Sequence, residues 1–143
     1  MLITEILKAK GDLVFTISPE EKVSDAVALL HQRRVGALVV LDDKDKVVGI
    51  FSERDVVRAV AADGAGGLSN PVHKVMTRDV IFANQSETVD SLLSRMTDRR
   101  IRHLPVCDEG RLIGLVSIGD LVKSKIAESV AEAQSLKQYI AAG

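Results

Sequence analysis

The stretch Gly49-Ile50-Phe51-Ser52-Glu53-Arg54-Asp55 returns further along the chain as Gly114-Leu115-Val116-Ser117-Ile118-Gly119-Asp120, a recurrence of the kind left by a duplicated structural unit. Working outward from it, the chain aligns with itself. Val14 to Asp42 falls on Val80 to Asp108 at an offset of 66, which sets Val23, Arg33, Arg34, Val40 and Asp42 on Val89, Arg99, Arg100, Val106 and Asp108. After the loop at Asp43 to Lys46 the offset is 65, and Gly49, Ser52, Asp55 and Val57 meet Gly114, Ser117, Asp120 and Val122. One turn is therefore a residue shorter in the second copy.

Each copy carries the same succession of patterns. Val23, Ala26, Val27 and Leu30, like Val89, Leu92, Leu93 and Met96, stand at i, i+3, i+4 and i+7, the spacing of a helix that buries one stripe. Two short apolar runs around a polar turn follow, Gly36 to Leu41 with Val47 to Phe51, and His103 to Cys107 with Leu112 to Val116; these read as hairpins. A second helix begins near Ser52 or Ser117, and a short extended run, Val14 to Ile17 or Val80 to Ala83, precedes everything. The unit is β-α-β-β-α and the fold class α+β.

The expected organisation is a first repeat with its N-terminal segment over 1–63, a Gly-rich link over 64–70, a second repeat over 71–125 and a C-terminal helix over 126–143. Gly64, Gly66 and Gly67 make the link flexible in this reading, and Asn70 and Pro71 start a short helix after it. A repeat of roughly 60 residues buries only about 60% of its unfolded surface and is marginal alone. The two copies are expected to pack as one pseudo-twofold body.

Composition narrows the function classes. With 143 residues, 46% of them hydrophobic, the chain has material for a core without disulfides or structural metal. The 19 Lys and Arg balance 20 Asp and Glu, and there is no Trp, one Tyr and three Phe, which argues against a nucleic-acid reader built on charge or stacking. The longest apolar run, Val35 to Leu41, is too short to span a bilayer, and Met1 to Lys10 lacks a signal-peptide core. Cys107 stands alone, which fits a reducing compartment; a cytoplasmic address is the expectation. Its thiol reads as buried packing.

Catalytic patterns are missing. Gly114 to Gly119 is one residue too long for a nucleophile elbow, Gly64-Ala65-Gly66-Gly67 lacks the third glycine of a dinucleotide fingerprint, and no H-E-x-x-H, phosphate loop or C-x-x-C occurs. His31 and His73 have no Cys or carboxylate at metal spacing and read as structural or solvated. No catalytic residue, metal or catalytic cofactor is expected.

The duplicated Ser-x-x-Asp supports two readings. In the plainer one Ser52 with Asp55, and Ser117 with Asp120, form capping boxes that satisfy the orphan amides of a first helical turn. In the other, the same helix start offers unpaired N–H groups and a positive dipole end to phosphate, while a carboxylate one turn in accepts both hydroxyls of a ribose. Gly49 and Gly114 would let a ligand approach the backbone.

These duplicated motifs resemble a pair of CBS domains, the Bateman module, over nearly the whole chain. That resemblance implies two clefts between tandem units, binding adenosine-containing ligands such as AMP, ADP, ATP, NAD(H) or S-adenosylmethionine. It places Asp55 and Asp120 on ribose hydroxyls and Ser52 and Ser117 near ribose or phosphate. It also brings in the end of the first hairpin strand, Gly36 and Ala37 or Arg102 and His103, and the short first strands, Leu13 to Phe15 and Asp79 to Ile81, which would line the adenine pocket. Arg102 and His103 stand where the first copy has only Gly36 and Ala37, so unequal affinities for anionic ligands are expected, with Arg54 and Arg58 as compensating guanidinium groups.

The stretch from Ile118 to Ala142 reads as a helix longer than the repeat needs, with Ile126, Val130, Ala133, Leu136 and Ile140 in one stripe. Such a stripe calls for cover, and a homodimer contact is expected there. The sequence thus points to a non-catalytic adenine-nucleotide sensor acting on itself or on a regulated partner protein, with a ligand-free dimerisation scaffold as the alternative.

Overall fold

The computed structural model of the chain describes residues 2–10 and 14–142. The elements run α1 (Ile3–Lys10), β1 (Thr16–Ile17), α2 (Val23–Arg33), β2 (Ala37–Leu41), β3 (Val47–Ser52), α3 (Glu53–Asp63), a 3-10 helix (Gly64–Ser69), α4 (Val72–Val75), β4 (Ala83–Asn84), α5 (Val89–Arg99), β5 (His103–Asp108), β6 (Arg111–Ser117) and α6 (Ile118–Ala142). The fold is α+β, with two three-stranded sheets and a long C-terminal helix.

Both sheets share one topology. β1 runs parallel to β2, with Thr16 opposite Val39, and β2 pairs antiparallel with β3 from Ala37–Ser52 to Leu41–Val47. β4, β5 and β6 repeat this, with Ala83 opposite Val106 and His103 opposite Ser117. Each ladder slips at the same place, between Val40 and Leu41 and between Val106 and Cys107, so the shorter second turn is absorbed without moving the hairpin base. β2 reads as a continuous apolar run because, as the middle strand, it buries Leu38, Val39 and Val40 completely.

The helical stripes bury as their spacing predicts. Val23, Ala26 and Leu30 of α2, and Val89, Leu92 and Met96 of α5, are enclosed. Each helix ends on an arginine in left-handed geometry, Arg34 and Arg100, both at φ 54°, whose amides return to carbonyls of the last turn. Around α2 the core gathers Val23, Leu30, Leu38, Val40, Phe51, Val72 and Met76.

The described chain divides into two compact units whose limits differ from those of the copies. Residues 14–81 form one; residues 2–10 and 82–142 form the other. In the first, α4 and the segment after it complete the sheet: the Ile50 amide donates to Thr77 O at 3.0 Å and the Thr77 amide to Ile50 O at 2.8 Å, while Met76 covers Gly49. In the second, α1 does the same work. Ile3, Ile6 and Leu7 are buried, Leu7 lies over Gly114, and the Ile3 amide donates to Glu87 O at 3.2 Å. The N-terminal segment therefore does not belong with the first sheet, nor residues 71–81 with the second, as the linear order suggested. The repeat alignment could not show this, since it begins at Val14.

Residues 64–70, expected as a flexible link, instead hold a 3-10 helix seated on α3. Gly67 is buried there, and a Cβ on it would stand 2.5 Å from the Ala59 carbonyl oxygen. Close approach, rather than freedom of motion, accounts for glycine at this position. The first strands are shorter than expected and start later, at Thr16 and Ala83, because only two residues of each pair with the hairpin.

Candidate functional site

Each hairpin hands its last serine to a helix, and this junction positions the duplicated motif. In residues 14–81, Ser52 closes β3 opposite Ala37, and the Glu53 amide donates to Gly36 O at 3.1 Å. In the other unit Ser117 closes β6 opposite His103, and the Ile118 amide donates to Arg102 O at 2.8 Å. The expected residues Gly36, Ala37 and Ser52, and Arg102, His103 and Ser117, thus meet at the entrance of α3 or α6.

Both aspartates cap their helices. Asp55 Oδ2 accepts the Ser52 amide at 2.9 Å and Asp120 Oδ2 accepts the Ser117 amide at 2.9 Å, while Ser117 Oγ accepts from the Asp120 amide at 3.1 Å. The capping box is reciprocal at Ser52 as well.

Beyond the cap the two sites part. Asp55 is only 1% exposed, and its Oδ1 accepts from Arg58 Nη2 and, at 3.2 Å, from Thr77 Oγ1. A sugar could reach this carboxylate only by displacing those two donors, so the open ribose contact expected of Asp55 is not what this arrangement holds. Asp120 keeps a side chain 27% exposed, and its Oδ2 also accepts from Lys10 Nζ at 2.7 Å, an ammonium that donates at the same distance to Leu115 O. Burial alone would raise the Asp120 pKa, but the Lys10 ammonium and the Ser117 amide hold it below the ordinary value.

Asp120 also edges a cavity of about 470 Å³, formed with Ile6, Ala9 and Lys10 of α1 and with Lys123, Ser124 and Ala127 of α6. A volume of this size falls within the range of small-molecule pockets, about 300–1,000 Å³. Its counterpart at Arg58, Ala59, Ala62 and Val75, about 410 Å³, has no aspartate of the motif on its wall. Gly36 lines a separate open hollow of about 770 Å³ with His31, Arg34 and Glu53.

A family model described as the CBS domain matches residues 11–62 and again 72–126. The chain belongs to the CBS-domain family, as a tandem pair. A curated relative, the CBS domain-containing protein CBSX3, mitochondrial, of Arabidopsis thaliana, is 35% identical over 99% of this chain and 72% of its own length. Among solved structures, the CBS-domain containing protein ATU1752 from Agrobacterium tumefaciens superposes with a TM-score of 0.85 at 42% identity, covering 87% of this chain and 92% of that one. The CBS domain pair of protein MJ0100, solved with 5′-methylthioadenosine and S-adenosyl-L-methionine, gives 0.80 at 26% identity over 90% of this chain and 98% of that one. The CBS domain protein PAE2072 from Pyrobaculum aerophilum, complexed with AMP, gives 0.75 at 25% over 84% and 89%.

The remaining expected residues of this CBS pair have these local settings. Phe15 packs on the core, gives its carbonyl to the Val39 amide at 3.1 Å and carries the Arg33 guanidinium 5.1 Å above its ring. Arg54 and Asp79 are exposed and Ile81 is half-buried, while Leu13 lies outside the described residues. Lys10 and Thr77, the groups that set the two aspartates apart, escaped the sequence reading. A signal existed: Ile3, Ile6 and Leu7 share their i, i+3, i+4 spacing with Val72, Val75 and Met76 at an offset of 69. Among the described residues no helix is long and apolar enough to cross a membrane, and no cluster of His, Cys, Asp and Glu could hold a metal ion.

Proposed function

We propose that this CBS pair is a non-catalytic cytoplasmic regulatory module that binds an adenosine-containing ligand, with Asp120 taking the ribose diol. The observation that carries this reading is the inequality of the aspartates: Asp120 is the partly open one, on the wall of a cavity, with Lys10 as an exchangeable partner. Adenosine ligands in MJ0100 and PAE2072 support the class of molecule. Arg102 and His103, beside the same helix entrance, are suited to phosphate by charge-assisted hydrogen bonds. AMP, ADP, ATP, NAD(H) and S-adenosylmethionine all present the diol that Asp120 would grip. Asp55 and Ser52 serve the fold in this reading and engage ligand only if Arg58 and Thr77 withdraw.

The output is a population shift, in the chain's own assembly as a homodimer or in a regulated partner protein. A ligand moves that equilibrium only by its difference in affinity for the two states. Thermal denaturation with AMP, ATP, NAD(H) and S-adenosylmethionine tests the reading. At about 100 times Kd a true ligand adds about 2.7 kcal/mol, and 2′-deoxy-AMP and the Asp120→Ala variant weaken binding by at least about tenfold. The sealed state of Asp55 favours the alternative, a ligand-free dimerisation scaffold. No response to any of the four ligands establishes that alternative instead.

A further inference from the structure

The far half of α6 has no cover: every residue from 129 to 142 is exposed, although the helix starts on a buried Leu121 and is tied to α5 by Lys125 and Asp90 at 3.0 Å. Its apolar groups include Ile126 at 60% exposure and Ile140 at 69%. From Val122 onward they follow a heptad. Ile126, Ala133 and Ile140 occupy the a positions, and Val122, Ser129 and Leu136 the d positions. Val130 and Tyr139 flank the seam and are also exposed.

We infer that this stem pairs with the stem of a second copy of the chain, parallel and in register, as a short two-stranded coiled coil. The flanking charges choose both occupant and direction. In a parallel pair a g residue faces the e residue of the partner's next heptad, which sets Glu132 against Lys137 of the other copy, twice per dimer. Antiparallel pairing over the same core layers sets Glu132 against its own copy and Lys123 against Lys137, and every one of these contacts is repulsive. Isoleucine at a with leucine at d suits two strands, and Ala133 and Ser129 let the helices approach closely at mid-stem. This pairing needs no nucleotide and stands apart from the ribose assignment.

Sedimentation equilibrium on the full chain tests it without ligand. The wild type is expected to dimerise. Glu132→Lys and Lys137→Glu each convert two attractive pairs into two like-charge pairs and raise the dimer Kd by about tenfold, a ratio equivalent to about 1.4 kcal/mol. The double variant returns it to within about twofold, which a nonspecific loss of helix would not do; unchanged circular dichroism checks the fold of each exposed-site variant. A monomer throughout the micromolar range, single reversals that tighten the dimer, or a dimer indifferent to all three variants overturns the inference.

Discussion

Lys10 Nζ stands 2.7 Å from Asp120 Oδ2, joining the last residue of α1 to the first turn of α6 across most of the sequence. Asp55, at the matching position of the other copy, is served instead by Arg58 from its own helix and by Thr77. One motif has thus been given different electrostatic partners in its two copies, and the aspartate they serve is 1% exposed in one copy and 27% exposed in the other.

Because the folded Asp120 pKa lies below its ordinary 3.8, the ion pair contributes its full stability above that value. The contribution is lost as pH falls through the lower folded value. Acid unfolding followed by circular dichroism should show the wild type losing its advantage over Asp120→Asn below about pH 4. An advantage unchanged down to pH 2 contradicts the pairing.

Removing the competitor should help a neutral ligand. Lys10→Met is expected to raise affinity for adenosine by about two- to fivefold, the scale of a partly exposed ion pair worth up to about 1 kcal/mol. Titration calorimetry reads this directly, and weakened binding would make Lys10 a ligand contact rather than a rival.

Asp55→Ala should act on the fold. It deprives the Ser52 amide and Thr77 of a buried acceptor and is expected to lower stability by about 2–3 kcal/mol in urea denaturation. Affinity for AMP measured on the folded fraction should stay within about twofold of the wild type.

Two glycines in residues 14–81 should answer differently to alanine. At Gly67 the new Cβ meets backbone, the Ala59 carbonyl oxygen at 2.5 Å, so the 3-10 helix must lift and about 1–3 kcal/mol is lost. At Gly49 it meets Met76 Sδ at 2.6 Å, the flexible part of a side chain that can swing away, and the loss should be smaller. Chemical denaturation of the two variants gives the order.

Cys107 is half-buried, and burial pushes its thiol above the usual 9.0. With little thiolate at pH 8, its reaction with a disulfide reagent should be slower than that of a free thiol and should speed up in denaturant. Equal rates in both conditions would show an open thiol.

Comparison of the chain with itself reveals the duplication, and local pattern reveals the stripes of α2 and α5, both hairpins and the serine–aspartate junctions, because each of these depends on residues close together in sequence. Which aspartate stays open could not be read that way. The choice rests on Thr77, 22 residues from Asp55, and on Lys10, 110 residues from Asp120. Segments that distant find their sheets by burying Met76 and Leu7 against Gly49 and Gly114, and apolar burial carries no label in the local sequence saying which surface will be covered.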